Sequence, residues 1–208
     1  MKEFIKINKY YLITILLMLL TFILIKIYLS NDLLTFDTYL HDKLTNFVNN
    51  SLVTSIFKVI TFLGSVYFYL ILLITIIFIN KKLFYNLSIP LVITWSLSFI
   101  IKNIIRRERP LTSLITKPSD FSFPSGHTVC SVLLYGLIIY FINKSNINKN
   151  IKIFINIFLT LLIILIGCSR VYLGVHFVSD VLAGFLLGTL SLVMFIRCFE
   201  RRKAWKKK

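Results

Sequence analysis

The sequence predicts an all-α protein built into a membrane, a single domain over residues 1–208 that forms a bundle of six transmembrane helices. Three observations lead there. Of the 208 residues, 57% are hydrophobic and only 15% charged, against about 25% charged in a soluble domain. The mean hydropathy is +0.84, which excludes a disordered chain as well as a water-soluble globule. The apolar residues also come in long runs, and six bilayer-spanning helices of about 20 residues each use most of the chain and leave no room for a separate soluble domain.

The first span is expected over 11–30, Tyr11 to Ser30, behind Lys2, Lys6 and Lys9. Its apolar run is too long for a signal peptide and no small-x-small cleavage site follows, so it reads as a retained anchor. Lys26, near its far end, can snorkel. Residues 31–58 are mixed. Asp32, Asp37 and Asp42 stand among apolar residues, of which Phe36, Leu40, Leu44, Phe47 and Val48 recur at helical spacing. An interfacial amphipathic helix fits this pattern, and so does a solvated loop with a few packed side chains. The later spans are expected over 60–79, 83–101, 127–143, 151–168 and 177–197. Lys81-Lys82 makes a tight turn, and 143–150 a polar one. The segment 102–126 carries three of the four prolines, several charges and no apolar run, and an unusual loop of this kind often carries function. Pro90 falls inside the third span as a candidate kink. Gly184 and Gly188 form GxxxG in the sixth, which suits close helix packing. Cys130, Cys168 and Cys198 fit neither a metal spacing nor a disulfide framework.

The net charge of +16 comes from 24 Lys and Arg against 8 Asp and Glu. Placing both termini in the cytoplasm puts 15 of the 24 on the inner side: in the N-terminal tail, the 81–82 turn, the 143–150 turn with Lys152, and the tail beyond residue 196. Topology and anionic headgroups therefore account for the Arg201 to Lys208 cluster, and no nucleic-acid partner is expected. His41, in the first outer loop, reads as a surface or interfacial residue.

The basic residues left on the outer side need a separate reason. Lys102, Arg106 and Arg109 stand at i, i+4 and i+7 and can share a helix face, and Arg170 follows the fifth span. His127, His176 and Asp180 open the fourth and sixth spans at the same end, so two of the three histidines fall in one cluster. Interfacial snorkelling explains Arg106 and Arg107 as well as function does. Polar residues at membrane depth otherwise mark function. Fixed cations suit a dianionic phosphate, which guanidinium groups bind in bidentate fashion. Pro124-Ser125-Gly126-His127 opens a helix, whose N-terminus is a ready anion site. Gly126 lets the backbone approach the anion, and the Ser125 hydroxyl adds a donor. His176 and Asp180 lie four apart on one helical face, and an Asp that accepts from one imidazole nitrogen leaves the other as acceptor or nucleophile. No carboxylate cluster suits a divalent metal, and no cofactor is expected.

These residues fall in a recognisable order: Lys102, six residues, Arg109-Pro110; then Pro124-Ser125-Gly126-His127; then Ser169-Arg170, five residues, His176, three residues, Asp180. The pattern resembles the three-part signature of the type-2 phosphatidic acid phosphatase family, which shares its site with the vanadium haloperoxidases. All three parts are complete, and Ser169 to Gly184 looks like the small bacterial membrane lipid phosphatases. The resemblance implies that His176 attacks phosphorus to form a phosphohistidine and that Asp180 orients that imidazole. It implies that His127 protonates the leaving oxygen and then activates water. Lys102, Arg109, Ser125, Gly126 and Arg170 would hold the phosphoryl oxygens. The expected activity is a metal-independent lipid phosphatase at the outer membrane surface, acting on a membrane-anchored phosphate such as phosphatidic acid, phosphatidylglycerol phosphate or undecaprenyl pyrophosphate. The alternatives are a vanadate-holding haloperoxidase, for which the chain is short, and a non-catalytic transporter or scaffold, against which the intact His127, His176 and Asp180 argue. Oligomeric state is not legible.

Overall fold

The computed structural model describes residues 31–46, 51–111, 113–116 and 119–205. The expected first span, 11–30, lies outside them. Seven helices and no strand occur among the described residues: α1 Asn31–Asn46, α2 Ser51–Leu63, α3 Val66–Ile79, α4 Lys81–Ile105, α5 Gly126–Lys144, α6 Lys149–Tyr172 and α7 Val178–Trp205. By length and hydropathy α4, α5, α6 and α7 can each cross a membrane, and α2 with α3 makes a fifth candidate if the pair is one bent span.

That pair corrects the expected span at 60–79. The helix starts at Ser51, breaks at Gly64-Ser65 and resumes 49° away. Gly64 is a poor helix residue, and the Ser65 side chain caps α3 by accepting from Phe68 N at 3.3 Å. The Leu63 carbonyl freed at the break accepts from Tyr135 Oη at 2.6 Å, so it is not stranded in an apolar setting.

Helix α5 is the centre of the bundle and packs against α4, α6 and α7. Every residue from Thr128 to Leu137 is buried. Around it lie Leu87 and Leu91 of α4, Tyr69 and Leu73 of α3, and Leu162 and Ile166 of α6. The outward faces of the helices are apolar and exposed, as at Phe78, Ile104 and Phe154, which is how a lipid-facing surface looks. The contact of α5 with α7 depends on the GxxxG glycines. A Cβ at Gly184 would stand 2.8 Å from Thr128 Cβ and 3.1 Å from Ser125 O, and one at Gly188 would stand 2.7 Å from Val132 Cβ. Pro90 is buried inside α4, which runs on past it.

Helix α1 settles the open reading of residues 31–46 as a helix, while 51–58 belong to α2. Its polarity is the reverse of a soluble helix. Phe36 and Tyr39 are exposed, whereas Asp37 and His41, four apart, are buried against the start of α7. His41 is therefore not a surface residue. It is 5% exposed and meets the Phe177 ring edge-on at 6.0 Å.

Candidate active site

The signature residues converge at one end of the bundle because three chain reversals meet there. Helix α4 ends when Arg106 takes a left-handed conformation, φ 54°, and caps the Lys102 carbonyl with its N–H. This turn separates the neighbouring arginines. Arg106 stays exposed and donates to Asn103 O, while Arg107 turns inward and is 4% exposed. The expected Lys102–Arg106–Arg109 face therefore does not form. At the end of α6, Gly174 adopts φ 70°, a conformation that favours glycine, and Val175 N bonds back to Arg170 O at 3.2 Å. That reversal presents His176 just before α7. The third reversal is the 106–125 loop. Ser122 N donates to Arg107 O at 2.8 Å and Ser125 N to Asp180 O at 3.0 Å, which clamps this loop onto the start of α7.

A cavity of about 280 Å³ lies at this end, lined on its polar side by Lys102, Arg109, Asp120, Gly126, His127, Arg170 and His176. Six of the eight predicted residues thus share one wall. Asp180 stands behind His176, and Ser125 is fully buried outside the lining, where its hydroxyl accepts from Thr128 Oγ1 at 3.0 Å. Gly126 opens α5, and its missing Cβ would lie 3.9 Å from Lys102 Cε.

Arg109 Nη1 is 3.1 Å from His176 Nε2. A guanidinium can only donate, so Nε2 is the acceptor nitrogen and the ring proton sits on Nδ1. Nδ1 faces Asp180 Oδ2 at 3.4 Å and Ser122 Oγ at 3.3 Å. Burial pushes the His176 pKa down to about 3. Asp180 opposes that shift, while Arg109 and Arg170 add to it. The imidazole is therefore neutral at pH 7, with its Nε2 lone pair toward Arg109.

The cations are held largely by main-chain oxygens. Lys102 Nζ donates to Phe121 O, and Arg109 donates to Val175 O at 2.6 Å and to Asp120 O at 2.9 Å. Arg170 Nη1 reaches Thr61 Oγ1 at 2.6 Å, while its buried Nε has no partner among the described residues. The Asp120 carboxylate sits across Lys102 at 3.0 Å and Arg109 at 2.6 Å. Burial alone would raise its pKa, but the two cations outweigh burial and lower it.

Sequence reasoning did not anticipate this role for Asp120, nor those of Ser122 and Gly64. A Cβ on Gly64 would meet Ile166 Cγ2 at 2.6 Å and His127 Cδ2 at 3.4 Å, so the break between α2 and α3 makes room for the second histidine. Its helix-breaking character was the available signal. Tyr172 packs rather than lining the cavity, stacked on Phe57 at 4.3 Å and bonded to Thr54. Among the described residues, no group of three or more His, Cys, Asp or Glu is placed to hold a metal.

The sequence pattern of the PAP2 superfamily matches residues 66–204. The chain belongs to the PAP2 superfamily. Known phosphatases resemble this PAP2 protein. It is 37% identical over 156 residues to phosphatidylglycerophosphatase B of Bacillus subtilis (strain 168), covering 72% of this chain and 76% of that protein. The crystal structure of the first transmembrane PAP2 type phosphatidylglycerolphosphate phosphatase from Bacillus subtilis superposes with a TM-score of 0.84 at 30% identity, over 90% of this chain and 96% of that one. The undecaprenyl-diphosphatase of Sulfolobus acidocaldarius is 30% identical over 116 residues, 53% of this PAP2 chain and 52% of its own length.

Proposed function

We propose that this membrane lipid phosphatase removes the terminal phosphate of phosphatidylglycerol phosphate, with phosphatidic acid and undecaprenyl pyrophosphate as the other candidate substrates. The bundle stands with both termini in the cytoplasm and the cavity at the outer face, the orientation favoured by the lysines and arginines. Counted with the span that the sequence predicts over 11–30, the bent α2–α3 pair and the four long helices make six.

The observation that carries the reading is the His176 ring. Its acceptor nitrogen meets Arg109 in a cavity that Lys102 and Arg170 also line, and its N–H is backed by Asp180. In the proposed reaction Nε2 forms a bond to phosphorus as the ester P–O bond breaks. His127 donates a proton to the departing oxygen, then takes one from the water that cleaves the phosphohistidine. The three cations and the backbone N–H groups at the start of α5 hold the phosphoryl oxygens, with the Ser125 hydroxyl assigned to the same role although it stands behind the wall. Lipid as the substrate class is supported by the other side of the cavity. Val66, Trp95 and Phe99 line it and are themselves about half exposed on the outer surface of the bundle, so a headgroup enters while its tails stay in the bilayer. Phosphatidylglycerol phosphate comes first because of the names of the Bacillus relatives.

The test is phosphate release in detergent from a panel of these three lipids and a soluble phosphate ester, with His176→Ala as the blank. Release from a lipid that the variant abolishes is expected. Equal release by the variant, or preference for the soluble ester, would sink the proposal.

A further inference from the structure

Behind His176 lies a second charged cluster that touches no part of the cavity. Asp180 Oδ2 accepts from Phe177 N at 2.9 Å and from Ser122 Oγ, and faces His176 Nδ1. Asp180 Oδ1 accepts from Arg107 Nη1 at 2.7 Å. The same guanidinium donates through Nη2 to Asp37 Oδ2 at 2.7 Å, donates to Ser179 Oγ at 2.6 Å, and lies over the Phe177 ring at 4.3 Å. Asp37 in turn accepts from Ser179 N at 3.2 Å and from Ser179 Oγ. Asp37, Arg107 and Asp180 are 1%, 4% and 0% exposed.

Three charges buried this deeply have no solvent to compensate them, so each depends on the others. The guanidinium is held protonated: burial alone would lower its pKa, but Asp180 and Asp37 outweigh it. One arginine between two carboxylates leaves the cluster with a net charge of about −1. That is the charge needed opposite an imidazole that becomes cationic when its Nε2 is phosphorylated with Nδ1–H retained. Two donors from Arg107 and Ser122, one on each oxygen, also fix the rotation of the Asp180 carboxylate and hence the plane in which it meets Nδ1.

We propose that Arg107 and Asp37 are positioning residues for Asp180 and, through it, for the attacking imidazole, and that helix α1 is docked on the catalytic end to supply Asp37. This rests on His176 being the nucleophile. It gives Arg107 a role distinct from that of Arg109 two residues on, which faces the phosphate.

The test uses the full-length protein in detergent with Asp37→Asn and Arg107→Lys. Each variant keeps its approximate size, but the first removes a charge and the second removes the fork that spans two carboxylates. The expected result is a fall in kcat of about 10- to 100-fold, the range for losing an outer group that orients an active-site imidazole. The KM and the inhibition constant of inorganic phosphate should stay within about two-fold, because neither residue meets the anion. Unchanged kcat in folded variants would overturn the proposal, as would KM and the phosphate inhibition constant rising in step with the loss. Failure of both variants to give monodisperse protein would make the cluster purely structural and would also overturn it. His176→Ala run alongside separates the two claims: if it stays active, the nucleophile assignment fails, and if it is dead while Asp37→Asn is normal, only the positioning role fails.

Discussion

Replacing Asp120 by Asn should tighten the binding of phosphate-like anions. The Asp120 carboxylate spans Lys102 at 3.0 Å and Arg109 at 2.6 Å, the two cations that a phosphoryl group must meet, so a substrate competes with it. Its side chain is 41% exposed, so each pair is weakened by solvent, and exposed pairs are worth about 0.2–1 kcal/mol each. Two such pairs make the release of the carboxylate cost about 0.4–2 kcal/mol, or about 2- to 30-fold in affinity. The cations should not collapse without it, because Phe121 O, Val175 O and the Asp120 carbonyl hold them from the main chain. The assay is competitive inhibition by orthovanadate. The inhibition constant of Asp120→Asn should fall by about 2- to 30-fold at low ionic strength, with the gap narrowing as salt screens the rim. A constant that is unchanged or larger would refute the reasoning, since it would mean that the carboxylate holds the cations in place rather than competing for them.

Three further outcomes are expected. Acid-labile labelling by a radiolabelled lipid phosphate should vanish in His176→Ala, while His127→Ala should show a smaller defect with a nitrophenyl leaving group than with a lipid; retention of label in His176→Ala with loss in His127→Ala would reverse the two roles. In ¹⁵N-histidine NMR, His176 should remain a neutral Nδ1–H tautomer from pH 8 down to about pH 5. Its folded pKa of about 3 lies below the ordinary value of 6.5, so the unfolded chain binds the extra proton across that window and this group's contribution to stability falls as pH drops through it; titration near 6.5 would contradict the burial. Gly184→Val should lower the thermal midpoint, because even a Cβ there stands 2.8 Å from Thr128 Cβ and 3.1 Å from the Ser125 carbonyl; overpacking of this kind costs about 1–3 kcal/mol, and an unshifted midpoint would mean that α7 and α5 can separate freely.

The candidate catalytic residues were legible because phosphoryl chemistry demands residue types that an apolar chain otherwise avoids. His127, His176 and Asp180 stand out against 57% hydrophobic surroundings, and the fixed spacings do the rest. The cluster behind them was not legible. Asp37 and Arg107 are 70 positions apart, and nothing local marks them as partners. The choice between Arg106 and Arg107 turned on a single left-handed residue at the end of α4, which no spacing rule reports. Helix α1 was half legible for a related reason. Its helical spacing was visible, but the spacing did not say which polar residues turn inward, and the i, i+4 pair of Asp37 and His41, the latter read as a surface or interfacial residue, is the buried face. The break at Gly64 was hidden because the apolar run continues through it, and hydropathy does not register a 49° bend.

The charges along the site alternate in sign. Arg109 faces Nε2 of a neutral imidazole, Asp180 faces its Nδ1, Arg107 faces Asp180, and Asp37 faces Arg107. Every neighbour is of opposite sign or neutral, which is how five titratable side chains can be packed with so little solvent. A phosphate dianion entering at Arg109 extends the alternation by one step. In the proposed reaction, transfer to Nε2 then places positive charge on the ring, between the dianion and Asp180, where both neighbours are negative. The proposed phosphohistidine is thus favoured at the point where charge develops, by groups already fixed in place. The same order explains why the imidazole is held neutral beforehand: until phosphate is present, a cationic ring would face Arg109 and Arg170, and both of them, with burial, oppose its protonation.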